Sequence, residues 1–388
     1  MMRRTGSYRI TVFGEEKVRA FVPFPLPPQN PRLKLTEKLE RLNNEAMAAL
    51  DRLAISGNMV PSANWFLYGF ARKEAVISSQ IEGTQATLED VVTYEATRQT
   101  DRLADVEEVC NYVKALDLAR SEMAKKKGLP LCMRLLCKVH ARLMRGARGA
   151  EKRPGEIRAS QNWIGGTRPG NARFVPPPAD DVPAALARLE KWIHSKDPLP
   201  PLIKAGLAHV QFETIHPFLD GNGRVGRLLI ALLVEHWGVL SSPLLYLSLA
   251  FKRQRDEYYR LLSRVRTHGD WEAWAAFFLA CVSESANDGV ETARRLFALV
   301  NADRHKVANY SRSTMPAIRL FDLLPEHPMI VLPGAIKLLK TTKPTAAKAI
   351  DALVRTGVLA EVTGKRRDRV YAYRAYLKVL DENTAALV

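Results

Sequence analysis

Cysteine is scarce: four in 388 residues, Cys110, Cys132, Cys137 and Cys281, scattered without metal-ligand spacing or a disulfide framework. That excludes a thiolate metal centre and a disulfide-stapled scaffold, and it fits a reducing cytoplasm. Long apolar runs are also missing. No stretch reaches the ~18 uninterrupted apolar residues of a membrane span. The patch Leu228 to Val234 is ended by Glu235 and His236. No signal-peptide core follows Arg3 and Arg4. The expectation is a cytoplasmic protein with no membrane partner. Repeats and low-complexity segments are absent too. Acidic residues are in deficit, 41 against 58 basic ones, for a net charge of +17. Such an excess favours acidic partners, whether nucleic acid, nucleotide or an anionic protein surface, and is silent on fold.

What is present is ordinary globular material, 47% hydrophobic and 26% charged, in a length that suggests two or three domains. Residues 1–32 show alternation over Tyr8 to Phe13 and then a proline-rich connection, Pro23 through Pro31, and read as a small arm. Residues 33–127 carry helical apolar spacing, as in Leu39, Leu42, Leu50 and Leu53. Leu129 to Met144 makes another helix. Glycine and proline then cluster from Gly146 to Pro201, and Gln161 to Val175 reads as a hairpin projecting from a helical body. A helix at about Val182 to His194 interrupts these loops. Further helices are expected over Leu202 to Thr214, Asn222 to Trp237, Arg253 to Thr267 and Trp271 to Asn309, the last with a break.

Past residue 300 the pattern changes. Ala317 to Leu324, Pro333 to Lys340 and Pro344 to Thr356 read as helices, and Leu359 to Val362 with Arg369 to Tyr373 as a strand pair. Helix, helix, helix, β-ribbon is the order of a winged helix, expected over 301–388. Between Pro333 and Lys378 eleven Lys/Arg face three Asp/Glu. A recognition helix opening at Thr341 and a wing tip at Lys365 to Arg369 could touch DNA; the same charges equally suit a protein-interaction or dimerisation module.

The densest chemistry lies in one string, His216-Pro217-Phe218-Leu219-Asp220-Gly221-Asn222-Gly223-Arg224-Val225-Gly226-Arg227. A histidine accepts a proton near neutral pH. A single carboxylate suits Mg²⁺, which takes one or two such ligands plus phosphate oxygens and water. Gly221-Asn222-Gly223 lets the backbone approach a ligand. A helix starting there offers free N–H groups to an anion. Arg224 and Arg227, three apart, share a helix face and can grip one polyphosphate. Base, metal ligand, anion cradle and charge clamp together specify phosphoryl or nucleotidyl transfer.

The string resembles the defining motif of the Fic family, H-P-F-x-D/E-G-N-G-R-x-x-R, with every specified position matched. The resemblance implies a mainly α fold: a Fic-type helical core over 128–300 with a β-hairpin flap, beside the small C-terminal winged helix. It implies transfer of AMP from ATP to a Ser, Thr or Tyr hydroxyl of a protein, self-modification included. His216 would be the base, Asp220 the Mg²⁺ ligand, and Gly221, Asn222, Gly223, Arg224 and Arg227 the ATP-binding residues. The flap would align the target backbone through Arg173, Phe174 and Val175. Tyr258 and Tyr259 resemble the tyrosine pair of the family's nucleoside pocket; each either lines that pocket or packs the core. Ser78-Ser79-Gln80-Ile81-Glu82-Gly83 resembles the inhibitory S/T-x-x-x-E-G/N motif, placed within 33–127. There Glu82, presented from a short helix, would pair with Arg227 in place of the γ-phosphate while Ser78 ties the helix down. Some family members use this glutamate to orient water and remove AMP, so the reverse reaction stays open, as does a homodimer. The rival reading is a DNA-binding regulator whose nucleotide site senses ATP; an intact His216 and Asp220 favour the transferase.

Overall fold

The computed structural model describes residues 3–29, 31–58, 63–146, 149, 151–382 and 384. A hairpin comes first, β1 (Gly6–Phe13) and β2 (Glu16–Pro23), then helices α1 (Glu37–Asn58), α2 (Ala63–Ile81), α3 (Leu88–Thr97), α4 (Leu103–Ala124) and α5 (Met133–Leu143). After a long loop come α6 (Val182–Ile193), α7 (Pro201–Ile215), α8 (Asn222–His236), α9 (Ser248–Arg253), α10 (Arg255–His268) and α11 (Trp271–Asn309). The last part holds α12 (Met315–Leu323), β3 (Met329–Val331), α13 (Leu332–Leu339), α14 (Lys343–Arg355), β4 (Ala360–Glu361), β5 (Val370–Ala372) and α15 (Arg374–Asp381). The fold is mainly α. None of the described helices is long and apolar enough to cross a membrane.

The chain forms two compact units, Met1–Asp51 with Asn111–Ala286, and Arg52–Cys110 with Asn287–Val388. Helices α1, α4 and α11 each run from one unit into the other, so the units interleave along the sequence.

In the first unit α7 is the central helix. Residues 202–215 are all buried, because α7 is apolar on every side rather than on one stripe. Its few polar side chains are answered locally. Lys204 lies over the rings of Trp237 and Trp192, and Gln211 donates to the Phe24 carbonyl. Helix α8 packs on α7, and its Val225, Leu228, Leu229 and Leu232 are buried.

The amino-terminal arm is a complete two-stranded antiparallel hairpin rather than a lone strand. The charges of Glu16, Lys17 and Arg19 hide β2 from a hydrophobicity reading, although Val18, Ala20, Phe21 and Pro23 are buried. Gly14 supplies the positive φ of +59° that a two-residue turn needs. Between Gln161 and Val175 the expected hairpin is closed by a single antiparallel bridge, Ile164 to Phe174; loop geometry fills the rest. Helix α11 is unbroken over 39 residues.

In the second unit α3 starts with a capping box between Thr87 and Asp90. Arg72 forks onto Glu95 at 2.8 Å while lying over the Tyr68 ring. Helices α12 to α14 accompany a three-stranded antiparallel sheet of order β3-β5-β4. Strand β3 and helix α15 escape a reading of the sequence: Met329 to Val331 is too short to show alternation, and α15 follows β5 without a breaker.

Candidate active site

The motif residues His216 to Arg227 occupy the loop between α7 and α8 and the first turns of α8. His216 ends α7 in a left-handed conformation, φ 51°, its N–H bonded to the Phe212 carbonyl at 2.9 Å. Gly221, φ 73°, is the cap of α8. The Asn222 side chain both accepts from the Phe218 N–H and donates to the Phe218 carbonyl, each at 2.8 Å, and is buried. This reciprocal pair fixes the turn. Asn222→Ala is expected to destabilise the unit by about 1–3 kcal/mol, because the Phe218 backbone groups stay buried without their partner; urea unfolding measures it.

Three residues missed in the sequence brace the same loop. Arg158, 3% exposed, donates to the carbonyls of His216 (2.9 Å), Ser160 (3.0 Å) and Pro177 (2.5 Å), and its backbone N–H bonds the Pro217 carbonyl. Burial lowers its pKa to about 10, which leaves it charged at neutral pH. Asn162 reaches the carbonyls of Phe218 and Leu219. His140 stacks on Phe218 with ring centroids 3.9 Å apart. Its Nδ1 accepts the Gly155 N–H, so Nε2 carries the hydrogen directed at the Asp220 carbonyl, 3.0 Å away. The signal for His140 was its place beside the apolar face of Leu135, Leu136 and Val139. Arg158 and Asn162 left none, since their partners are backbone carbonyls distant in sequence.

Around this loop, His216, Asp220 and Gly223 are partly exposed, while Arg224 and Arg227 are buried. Asp220 accepts the Gly221 N–H at 2.6 Å, and its other carboxylate oxygen faces Gly149. Arg224 has Nη2 3.7 Å from Asp220 and 3.6 Å from the Met144 sulfur, a weak acceptor. Buried guanidiniums at a helix start, beside a half-exposed carboxylate and a partly buried imidazole, suit a polyanionic ligand. Among the described residues no group of three or more His, Cys, Asp or Glu could hold a metal ion. A Mg²⁺ carried chiefly by phosphate and water needs only one or two carboxylates, and Asp220, with a side chain 46% exposed, fits that demand.

Behind α8 lies a second histidine. His209 is fully buried; it donates from Nδ1 to the Gly226 carbonyl (3.0 Å) and accepts the Tyr258 hydroxyl at Nε2 (2.8 Å). The tyrosine pair is therefore divided. Tyr258, 2% exposed, stacks on Phe251 in the core, whereas Tyr259 is 43% exposed and has surface to offer a ligand. A methyl group at Gly226 would meet a Glu213 carboxylate oxygen at 2.3 Å, so any larger residue there requires the Glu213 side chain to move.

Burial lowers His209 to about 3 and His140 to about 4. In the unfolded chain both protonate near pH 6.5. Between those values the unfolded chain binds protons that the native one refuses, so stability falls as pH falls below about 6.5. Each imidazole costs about 1.4 kcal/mol per pH unit in that window. Urea midpoints are expected to drop from pH 7 to pH 5, and to drop less in His209→Gln.

The flap residues lie in the same unit. Val175 is buried with Val18 and Ala20, and its carbonyl accepts the Phe21 N–H at 2.9 Å. Phe174 lies under the Arg266 guanidinium, 3.9 Å from its ring centre, and Arg173 is exposed. In the second unit Ser78 is buried, and Glu82 stands exposed in the turn after α2. That helix has 19 residues and ends at Ile81, so Glu82 belongs to the end of a long helix rather than to a short one; Gly83, φ 100°, completes the stop.

A buried central helix, a braced glycine-containing loop and an adjoining hairpin together resemble the helical core of the Fic fold. Residues 40–121 match the Fic/DOC family N-terminal region and residues 130–234 match the Fic/DOC family. It is 28% identical over 265 residues to the "Protein adenylyltransferase Fic" of Drosophila willistoni, covering 66% of this chain and 49% of the relative. The relative from Drosophila grimshawi, of the same name, is likewise 28% identical over 265 residues, covering 66% of this chain and 51% of its own length. The chain thus spans about half the length of the curated relatives it matches. In structure it is similar to a Fic family protein from Desulfovibrio desulfuricans G20, with TM-score 0.57, 21% identity, 88% of this chain and 97% of that one covered. Fic-1 from C. elegans gives TM-score 0.51 at 19% identity, covering 68% of this chain and 73% of that one.

Proposed function

We propose that this chain transfers AMP from ATP to a Ser, Thr or Tyr hydroxyl of a protein. The observation that carries the reading is one loop. It presents His216 and Asp220 at the surface and Arg224 and Arg227 from the first turns of α8, on a Fic fold. ATP would lie over Gly221 to Gly223, where the helix start offers N–H donors and positive potential. Arg224 would hold the β-phosphate side and Arg227 the γ-phosphate. His216 would take the proton of the incoming hydroxyl, whose oxygen bonds the α-phosphorus as the bond to the β-phosphate oxygen breaks and pyrophosphate leaves. Asp220 would hold Mg²⁺, which offsets phosphate charge when bound.

Exposed Tyr259, rather than core-packed Tyr258, is the better candidate for the nucleoside. Arg173, Phe174 and Val175 would guide the target backbone, and Ser78, Glu82 and Gly83 would form the brake. Glu82 sits at the negative end of the α2 dipole, an unfavourable place for a carboxylate unless it serves another purpose. Residues 301–388 are read as a winged helix, a shape that the helix order and the sheet order β3-β5-β4 support, and this module would select targets or location. A cytoplasmic site accords with four free cysteines.

Labelled ATP tests the reaction. Label retained on protein from the α position, and not from the γ position, is the expected result; retention of γ-label would replace AMP transfer with phosphorylation.

A further inference from the structure

The amino-terminal hairpin carries an apolar stripe that packing does not explain. Tyr8, Ile10 and Val12 are 53%, 69% and 68% exposed. Of the eleven large hydrophobic residues exposed among the described ones, four lie in β1, Phe13 being the fourth. Monomeric proteins scatter such residues singly; a row of them on one element marks an interaction site.

The register decides which side chains share that face. Tyr8, Ile10 and Val12 pair with Phe21, Arg19 and Lys17, so these side chains point the same way. Phe21 is buried, and the Arg19 guanidinium lies 4.5 Å from the centre of the Tyr8 ring. The opposite face is spent: Val18 and Ala20 pack on Val175, Trp163 and Ala172, and Arg9 bonds Asp181. Of the hairpin's two acids, Glu16 accepts the Gly170 N–H and pairs with Arg168, and Glu15 lies in the turn outside the paired strands. The outward face is therefore three apolar side chains flanked by two cations, with no carboxylate among them.

We propose that this face docks an acidic amphipathic segment of a partner protein. Charge selects that occupant. A second copy laid face to face would bring Lys17 and Arg19 against their own kind, whereas acidic side chains would answer them. Size limits the occupant to one segment, since eight residues of strand span roughly 27 Å. The hairpin is also continuous with the flap, through the Phe21 N–H to Val175 carbonyl bond and the Phe13 to Trp163 ring contact. A segment held here would bring its protein to the edge of the catalytic loop. Only the naming of that partner as the AMP acceptor rests on the proposed transferase reading.

The full chain is titrated with a fluorescein-labelled amphipathic peptide, leucine on one helical face and glutamate on the other, and with its twin bearing lysine for glutamate. The expected result is binding of the acidic peptide alone, weakened about tenfold or more by Ile10→Asp with Val12→Asp. Lys17→Glu with Arg19→Glu should reverse the preference between the two peptides. Because these positions are exposed, circular dichroism and the melting midpoint should match wild type. Indifference of binding to both double variants would overturn the proposal. So would a concentration-dependent dimer dissolved by Ile10→Asp, which would assign the face to a second copy. Selective binding of phosphatidylserine vesicles in place of the peptide, lost in the same variants, would overturn it in favour of a membrane. Peptide binding requires no nucleotide chemistry, so failure here and failure of the α-label experiment are separate outcomes.

Discussion

His216→Ala is expected to lower AMP transfer by about 10²- to 10⁴-fold, the range that a positioned general base contributes. The attacking hydroxyl must lose its proton as its oxygen bonds phosphorus, and neither neighbouring imidazole can substitute. His140 holds its Nδ1 against the Gly155 N–H, and His209 is sealed in the core with both nitrogens engaged. The backbone of residue 216 bonds Phe212 and Arg158, and an alanine keeps both contacts. The loop should therefore stay in place, and with it the ATP contacts proposed for Arg224 and Arg227. The signature is lost transfer with retained ATP affinity and an unchanged urea midpoint. Wild-type turnover in the His216→Ala protein would remove the imidazole from the mechanism and leave only the anion site.

The second large effect runs upward. Glu82→Gly is expected to raise AMP transfer about 10- to 100-fold, if the brake is worth the 1.5–3 kcal/mol of a charge-assisted hydrogen bond. On the proposed brake, a carboxylate competing for the charge of the γ-phosphate's partner would leave that phosphate unanchored and the α-phosphorus misdirected. The substitution should cost the fold little. Glu82 is exposed beyond the last turn of α2, and removing an acid from a helix carboxyl end is mildly favourable. Initial rates of α-label incorporation, on the chain itself and on lysate proteins, measure the effect. Equal rates for the two proteins would discard the brake while leaving the His216 prediction intact. Faster removal of AMP by wild type than by the variant would show that Glu82 also serves the reverse reaction.

The legible parts of the site share one property. His216, Asp220, Gly221 and the two arginines lie within a dozen residues, so local backbone rules place them together wherever the segment folds. The helices around them were legible for a similar reason: α6, α7 and α8 begin and end within about two residues of the positions their apolar spacing and flanking prolines suggest. The tyrosine pair shows where this fails. Neighbours on a helix point about 100° apart, and only the packing of Phe251 and His209 decided that Tyr258 turns inward.

Strand β2 stayed hidden because Glu16, Lys17 and Arg19 interrupt its apolar residues, a pattern that takes meaning only once β1 and Val175 lie on either side of it. Taken alone, the sequence determined the chemistry: proton acceptor, carboxylate, glycine turn and guanidiniums are fixed by residue identity and short spacing. Tertiary structure decided what holds those groups still, namely the buried cation of Arg158 on distant backbone carbonyls, the His140 stack and the His209 to Tyr258 link. Each joins residues far apart in the chain, and a hydrogen bond to a distant carbonyl leaves no trace in local composition.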